Sequence, residues 1–174
     1  MLINNAGVGS HGEFVELDPD ALAAQIQLNC GTLVDLTARF LPSMVRTGSG
    51  LVINVASTAA FQPTPPTMAV YGATKAFVLS FTEALWQETK GSGVRVLALC
   101  PGATETEFFA RTGKQFMTRG RQTSRQVVDT ALAAVDKSGP TVISGLANTV
   151  LAASARLLPG RLLAPVAQRI MKES

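Results

Sequence analysis

The stretch Leu51-Val-Ile-Asn-Val55 is a short apolar run, which predicts a buried β-strand. A Pro-rich loop follows it, and the pattern from about Met68 to Glu88 then predicts a long helix. The next apolar run, Val94-Arg-Val-Leu-Ala-Leu99, predicts a second strand. Short apolar strands that alternate with long helices are typical of βα units around a parallel sheet.

The same alternation continues upstream of this stretch. Met1-Leu-Ile is a very short apolar run that stops at residues 4–7. Asp18 is the expected N-cap of a helix that runs to about Met44.

The alternation also continues downstream. Residues 104–123 are expected to be irregular or to form short helices, while 124–137 is predicted to be a helix and 140–144 a strand. The sequence contains no internal repeat and no flexible linker, so residues 1–174 are predicted to form a single α/β domain.

The composition is that of a globular protein. Of its 174 residues, 47% are hydrophobic and 16% are charged, which argues against intrinsic disorder. The net charge of +3 is modest, and no aromatic residues interleave with a basic stripe, so nucleic acid is not an expected partner. No apolar window reaches the roughly 18 residues of a spanning helix, and no signal peptide opens the chain.

The cysteines and the single histidine suggest neither a disulfide framework nor a metal site. Cys30 and Cys100 lie in apolar contexts, where reduced and buried thiols of a cytoplasmic protein are expected. His11 lies in a Gly/Ser-rich loop without enough potential ligands around it, so no metal is predicted.

Tyr71 and Lys75 form the most informative pair for function. Residues four apart on a helix share one face, so both can reach a common site. A tyrosine ordinarily has a pKa near 10, and a neighbouring ammonium favours its ionised form. A hydroxyl such as that of Ser57 could hold a substrate carbonyl while Tyr71 passes it a proton. The alternative is an ordinary amphipathic helix that carries one Tyr and one Lys.

Further motifs stand in order along the chain, each after a predicted strand or in the helix that follows. They are Asn4-Asn5-Ala6-Gly7, Asn29, Ser57 with Tyr71 and Lys75, and Pro101-Gly102. Together they resemble the single-domain branch of the short-chain dehydrogenase/reductase family, over essentially the whole chain. The resemblance implies part of a Rossmann-like, doubly wound parallel sheet with its ligand at the carboxyl ends of the strands.

The resemblance also implies catalytic roles for the matching residues. Tyr71 would be the general acid/base, and Lys75 would lower the pKa of Tyr71 and hold the nicotinamide ribose. Ser57 would orient the substrate carbonyl, and Asn29 would hold a water that links Lys75 to solvent. Thr58 is an alternative to Ser57, because it falls at the family's usual interval from the tyrosine. For Asn29 the alternative is a polar residue on a half-buried helix face.

The residues implied to contact the cofactor, besides Tyr71 and Lys75, lie in two loops. Those of the first loop would line the cofactor, with Gly7 allowing close backbone approach, and those of the second would flank the nicotinamide. They are Asn5, Ala6, Gly7, Pro101, Gly102, Thr104 and Thr106. For Thr104 and Thr106 the alternative is a polar turn after Pro-Gly.

Two segments leave the choice of partner open. Arg111, Lys114, Arg119, Arg121 and Arg125 lie in or beside the family's substrate lid, where they could favour an anionic substrate or simply be solvated. Residues 148–174 are predicted to form an amphipathic helical tail, which resembles a tail of one bacterial branch of the family. A basic amphipathic helix could lie weakly on an anionic membrane surface, or it could cover the core or a subunit partner.

The nucleotide fingerprint of the family has no convincing counterpart here. Gly7-Val-Gly9-Ser-His-Gly12 has the GxGxxG spacing, but it follows the Asn4-Asn5-Ala6-Gly7 motif and leads to a loop rather than directly to a helix. The chain is expected to begin at the family's fourth strand, so that about three βα units, roughly 80 to 90 residues, would be missing. Those units would carry the pyrophosphate turn. We therefore expect NADPH binding at least about a hundredfold weaker than in a full-length relative.

The resemblance implies an oxidoreductase that transfers a hydride between a nicotinamide cofactor and a small-molecule carbonyl/alcohol substrate. The tail favours NADP(H) over NAD(H). The sequence leaves the oligomeric state open; the resemblance allows a homodimer, because the helix over 18–44 and the one that carries Tyr71 commonly form the family's dimer face. The alternative function is that of a truncated, non-catalytic remnant or interaction protein that cannot bind the cofactor.

Overall fold

The computed structural model describes residues 1–61, 66–108, 120–137 and 139–157 of the chain. Within these ranges, one sheet is formed by β1 (Leu2–Asn4), β2 (Gly50–Val55), β3 (Val94–Cys100) and β6 (Thr141–Ile143). The strands lie in the order β1-β2-β3-β6, and every pair is parallel. The predicted α/β fold with a parallel sheet is confirmed.

Both faces of the sheet are covered, which explains why its central strands are continuous apolar runs. On one face Val52 and Val96 pack with Met44 of a covering helix. On the other face Ile53 and Leu99 pack with residues of a helix from the second half of the chain. A strand that is buried on both sides needs apolar residues at successive positions rather than at alternate ones.

The helical segment after β1 has three parts: α1 (Pro19–Ile26), a π-helix (Gln27–Thr32) and α2 (Leu33–Thr47). The Asp18 carboxylate accepts a hydrogen bond from the Asp20 amide, so the predicted N-cap is confirmed. The predicted long helix is confirmed and ends three residues beyond the predicted Met44, but its middle turn is widened into a π-helix, which the sequence did not predict.

The remaining helices are α3 (Ala69–Glu88), α4 (Ser124–Ala134) and α5 (Leu146–Leu157). They lie within two residues of the predicted starts, but α4 ends three residues before the predicted end. The tail predicted over 148–174 is helical to Leu157, and residues 158–174 lie outside the described residues. Among the helices that the structure describes, none is long and apolar enough to span a bilayer.

Residues 104–123 contain an element that the sequence did not predict. β4 (Thr104–Glu105) and β5 (Gln122–Thr123) pair in parallel as a small second sheet. Each strand is only two residues long, which is too short to give a readable pattern of hydrophobicity. Residues 109–119, which include most of the expected substrate lid, are outside the described part of the chain.

Candidate active site

A cleft of about 920 Å³ lies at the carboxyl ends of β1, β2 and β3. Its walls come from the segments that follow these strands and from α3, α4 and α5. Most of the predicted site residues line it, namely Asn5, Gly7, Ser57, Tyr71, Lys75, Pro101, Gly102, Thr104 and Thr106. Two do not line it: Asn29, which is buried, and Ala6, which is exposed.

Ser57 lies two residues after the end of β2, in extended backbone that turns into the 3₁₀-helix Thr58–Ala60. Its Oγ accepts a hydrogen bond from the Ala59 amide at 3.1 Å, which fixes the direction of the side chain. The Ser57 hydroxyl is also hydrogen-bonded to Tyr71, where it lowers the pKa of the phenol. Thr58 lines the cleft too, but the hydrogen bond to Tyr71 comes from Ser57.

Tyr71 lies in the first turn of α3, and its ring packs against Phe108 with 5.3 Å between the ring centres. Burial raises the pKa of Tyr71 above its ordinary value, and the hydrogen bond from Ser57 only partly opposes this. At neutral pH the side chain is therefore a protonated phenol, which can donate a proton to an oxygen placed beside it.

Lys75 follows one turn later on the same face of α3 and is only 6% exposed. Its ammonium group donates a hydrogen bond to the Val55 carbonyl at 2.8 Å and lies 5.8 Å from the centre of the Tyr71 ring. Burial lowers the pKa of Lys75 to about 8, because a charged group loses hydration there.

The expected lowering of the Tyr71 pKa by Lys75 is not found in this geometry. The pKa of Tyr71 is raised, and the one opposing influence is the hydroxyl of Ser57. The physical reason is that burial disfavours the phenolate more strongly than its neighbours favour it. Lys75 donates its hydrogen bond to the last residue of β2, so the position of its ammonium group depends on that strand.

Asn29 lies in the π-helix and is 2% exposed, so it is fully rather than half buried. Its side-chain amide pairs with the backbone of Val8: Oδ1 accepts from the Val8 amide at 3.0 Å, and Nδ2 donates to the Val8 carbonyl at 2.9 Å. Nδ2 also donates to Thr74 Oγ1 at 3.0 Å. The side chain thus ties the loop after β1 to α3, while its role in a water relay stays a prediction.

Gly7 lies between the side chains of Asn29 and Lys75. A Cβ at this position would lie 3.3 Å from Asn29 Oδ1 and 3.4 Å from Lys75 Nζ. The contact with Asn29 would be tight and the contact with Lys75 an ordinary one, so a methyl group would strain the first and a larger side chain would crowd both. Because glycine has no side chain, space is left beside Lys75. The residues around this space fit the nicotinamide-ribose end of the implied cofactor.

The loop after β3 closes the other side of the cleft. The Pro101 carbonyl accepts from the Thr58 amide at 2.9 Å, which joins this loop to the segment of Ser57. Thr104 Oγ1 donates to the Gly102 carbonyl at 3.0 Å, and Thr106 Oγ1 accepts from the Phe108 amide at 3.3 Å. Both threonines line the cleft while their hydroxyls engage nearby backbone, so a cofactor contact and a polar turn both remain open.

Gly102 has a neighbour that the sequence did not point to. A Cβ on Gly102 would lie 2.4 Å from Nδ2 of Asn148, a residue of α5 that lines the cleft. Asn148 Nδ2 donates to the Ser144 carbonyl at 2.6 Å, which holds the side chain in this place. No motif marks Asn148, because only the path of α5 brings it to the cleft.

The charges around the cleft give little support to an anionic substrate. Of the described residues that line it, only Lys75 and Glu107 carry charge. Arg125 lies beside Asp129 at 3.4 Å on the exposed side of α4. Arg111, Lys114 and Arg119 lie outside the described residues, so their part of the expectation stays a prediction.

The family model described as short chain dehydrogenase matches residues 1–116. Among curated proteins, the ketoacyl reductase HetN of Nostoc sp. is 31% identical over 153 residues, which is 88% of this chain and 47% of the relative. Sulfoacetaldehyde reductase 2 of Chromohalobacter salexigens is 40% identical over 115 residues, 64% of this chain and 45% of the relative.

Solved structures agree with the fold. A short-chain dehydrogenase from Sphingobium yanoikuyae in complex with NADPH superposes with a TM-score of 0.79 at 35% identity, over 90% of this chain and 62% of that one. A short chain dehydrogenase from Burkholderia cenocepacia in complex with NADP gives 0.80 at 29% identity, over 93% and 67%. The chain spans about half the length of these curated relatives. The expected absence of βα units before β1 is not confirmed by the matches.

Proposed function

This chain belongs to the short-chain dehydrogenase/reductase family, and we propose that its cleft serves hydride transfer between NADP(H) and a small carbonyl or alcohol substrate. The observation that carries the proposal is the convergence of Ser57, Tyr71 and the buried Lys75 on one cleft. These groups come from two different elements and meet at the carboxyl end of a parallel sheet.

In the direction of reduction, the Ser57 hydroxyl donates a hydrogen bond to the substrate oxygen and holds the carbonyl against Tyr71. The nicotinamide, when bound, supplies the hydride to the carbonyl carbon. Tyr71 gives its phenolic proton to the oxygen, so the product is a neutral alcohol and the phenol is reprotonated from solvent. A pKa of Tyr71 above its ordinary value keeps this proton in place at neutral pH, which suits reduction better than oxidation.

The cofactor would be held by residues from both sides of the cleft. Lys75 would donate to the ribose hydroxyls, and the backbone at Asn5 and Gly7 would approach it closely. Pro101, Gly102, Thr104 and Thr106 would flank the nicotinamide, and Ala6 would shape the loop without facing the cleft. The preference for NADP(H) is supported by two similar structures that hold NADPH or NADP.

The test is NADPH consumption with a panel of neutral aldehydes and ketones at pH 7. Tyr71→Phe should lower kcat by about a hundredfold to ten-thousandfold, the usual contribution of a general acid. The change removes only the hydroxyl and leaves the ring contact with Phe108. A panel on which the variant and the parent chain oxidise NADPH equally would contradict the proposal.

Cofactor binding is measured separately, by the change in NADPH fluorescence on titration with the chain. The parent chain should bind NADPH, and Gly7→Ala should weaken binding because the added methyl strains the contact with Asn29. Gly91→Ala is unsuitable as a control, since Gly91 has a positive φ of 78°. Gly139→Ala is the matched control, because a Cβ there meets nothing within 4 Å.

We also propose that the chain forms a homodimer through α2 and α3. Phe40 on α2 and Phe77 on α3 are 49% and 43% exposed, an unusual exposure for two aromatic rings. Sedimentation of the parent chain and of Phe77→Asp compares their masses, and two equal monomer masses would contradict the dimer.

A separate proposal is that the tail attaches to an anionic membrane surface, and sedimentation with anionic vesicles tests it.

A further inference from the structure

Phe108 bridges the cleft beside the proposed acid. Its ring packs on Tyr71 with 5.3 Å between centres and an angle of 48° between planes. Met68, which is 6% exposed, and Ala103 complete the same apolar cluster. Protein therefore occupies one side of the Tyr71 ring. When the carbonyl oxygen of a substrate reaches Tyr71, one substituent of the carbonyl carbon must lie beside Phe108.

Gly9 makes room for this ring. A Cβ at position 9 would lie 2.6 Å from Phe108 Cζ and 3.2 Å from Tyr71 Cδ2. Separations below about 3 Å do not occur between such atoms, so any side chain at position 9 would displace the Phe108 ring. Gly9 has no positive φ, so the absence of a side chain serves this packing rather than a turn.

The described wall around this cluster is mainly apolar. Val8, Met68, Ala103, Phe108 and Leu151 all line the cleft. The two charged residues of the described wall do not form an anion site, since Lys75 points to the Val55 carbonyl and Glu107 is itself acidic. A charged substrate would lose hydration here without a compensating partner, whereas an apolar one would lose none.

We infer that Phe108, seated against Gly9 and Tyr71, is a specificity-determining residue that limits the size of one carbonyl substituent of an apolar ketone or secondary alcohol. The inference rests on the proposed function for the orientation of the carbonyl. Removal of the ring opens space beside Tyr71, so bulky ketones gain access that the parent chain denies them. A methyl at position 9 acts in the opposite way, because it pushes the ring further into the cleft.

The experiment compares a small and a large neutral ketone, cyclohexanone and 2-decalone, by saturation-transfer NMR titration with the parent chain and its variants. The parent chain should bind cyclohexanone in preference to 2-decalone. Phe108→Ala should shift the ratio of the two dissociation constants towards 2-decalone by about tenfold or more, the range that a few methylenes contribute in a pocket. Phe108→Leu should shift it less and keeps most of the apolar volume if the alanine variant folds poorly.

The matched control is Phe14→Ala, since Phe14 is 62% exposed and does not line the cleft. The ratio of the dissociation constants for the two ketones should be the same in this variant as in the parent chain. Gly9→Ala should weaken the binding of both ketones, and Gly9→Ala with Phe108→Ala should recover it. An unchanged ratio in both Phe108 variants would overturn the inference, as would the absence of ketone binding by the parent chain.

NADPH consumption with the same two ketones separates this inference from the proposed function. Size selection in binding without any turnover would support the role of Phe108 and contradict hydride transfer. Turnover of both ketones with a kcat/KM ratio that does not respond to Phe108→Ala would support hydride transfer and overturn the role of Phe108. Turnover of a small anionic aldehyde in preference to either ketone would also overturn it.

Discussion

Replacement of Lys75 by Met tests the central electrostatic feature of the site, a buried ammonium group. The folded chain lowers the pKa of Lys75 from 10.5 to about 8, and only 6% of the residue is exposed. Protonated Lys75 is thus less stable in the folded than in the unfolded chain, by about 3 kcal/mol at neutral pH. This difference is a net one, so it already includes the hydrogen bond from the ammonium group to the Val55 carbonyl.

The stability of Lys75→Met at a single pH also reflects the exchange of one buried side chain for another, so it does not isolate the effect of the charge. The pH dependence is decisive. Since the pKa is lowered on folding, the unfolded chain binds more protons than the folded chain between about pH 8 and 10.5, and stability must rise with pH there. From pH 7 to 9.5 the parent chain should gain about 2 kcal/mol relative to Lys75→Met.

The assay is urea unfolding followed by the fluorescence of Trp86, the single tryptophan, at intervals between these two pH values. The titrating groups that do not interact with Lys75 cancel in the difference. Cys30, whose pKa is raised by burial and lowered by Lys75, is removed from the comparison by making both chains with Cys30→Ala. Measurements stop below pH 10, because Tyr71 keeps its proton in the folded chain and would lower stability above that value. Lys137→Met, at an exposed lysine, is the control and should give a curve parallel to the parent. A parallel curve for Lys75→Met would refute the reasoning.

Four further substitutions have clear expected outcomes. Ser57→Ala should reduce kcat for ketone reduction by about a hundredfold and Thr58→Ala by only a few-fold, because the hydrogen bond to Tyr71 comes from Ser57; steady-state kinetics distinguishes them. Asn29→Leu should destabilise the fold by about 2–4 kcal/mol in urea unfolding, since it leaves the Val8 amide and carbonyl without partners. Asn54→Leu should destabilise it by a similar amount, and equal unfolding midpoints for parent and variant would contradict both estimates.

The sequence predicted the sheet and the three central elements, β2, α3 and β3, because burial on both faces leaves a strong mark. Strands such as 94–100 must be apolar at nearly every position, and α3 is long enough for its pattern to be read. The positions of Ser57, Tyr71 and Lys75 in one cleft follow from the same elements. Each residue lies just after a strand or in the first turns of a helix, where parallel βα units converge.

The sequence could not predict features that depend on contacts between distant segments. Asn29 in the π-helix pairs its side chain with the backbone of Val8, twenty-one residues away, and no local pattern marks that contact. The packing of Phe108 on Tyr71 depends on Gly9, a residue that a pattern assigns only to a loop. The pKa of Tyr71 depends on the balance of burial against hydrogen bonding, and sequence spacing carries no information about burial.

The buried polar residues beneath the cleft explain how α3 can hold a charged lysine in place. Asn4 Nδ2 donates to Asn54 Oδ1 at 2.8 Å, and Asn54 Nδ2 donates to Thr82 Oγ1 at 3.0 Å, so side chains of β1, β2 and α3 are joined in series. Thr82 lies two turns after Lys75 on α3, and Asn54 directly precedes Val55, whose carbonyl receives the ammonium group. Helix α3 and strand β2 are therefore joined by two hydrogen bonds, one between neutral side chains and one from the charged Lys75. The hydrogen bond between Asn54 and Thr82 fixes the position of α3 relative to β2. The Val55 carbonyl, which partly offsets the cost of burying the Lys75 charge, is therefore held in a position that does not depend on Lys75 itself.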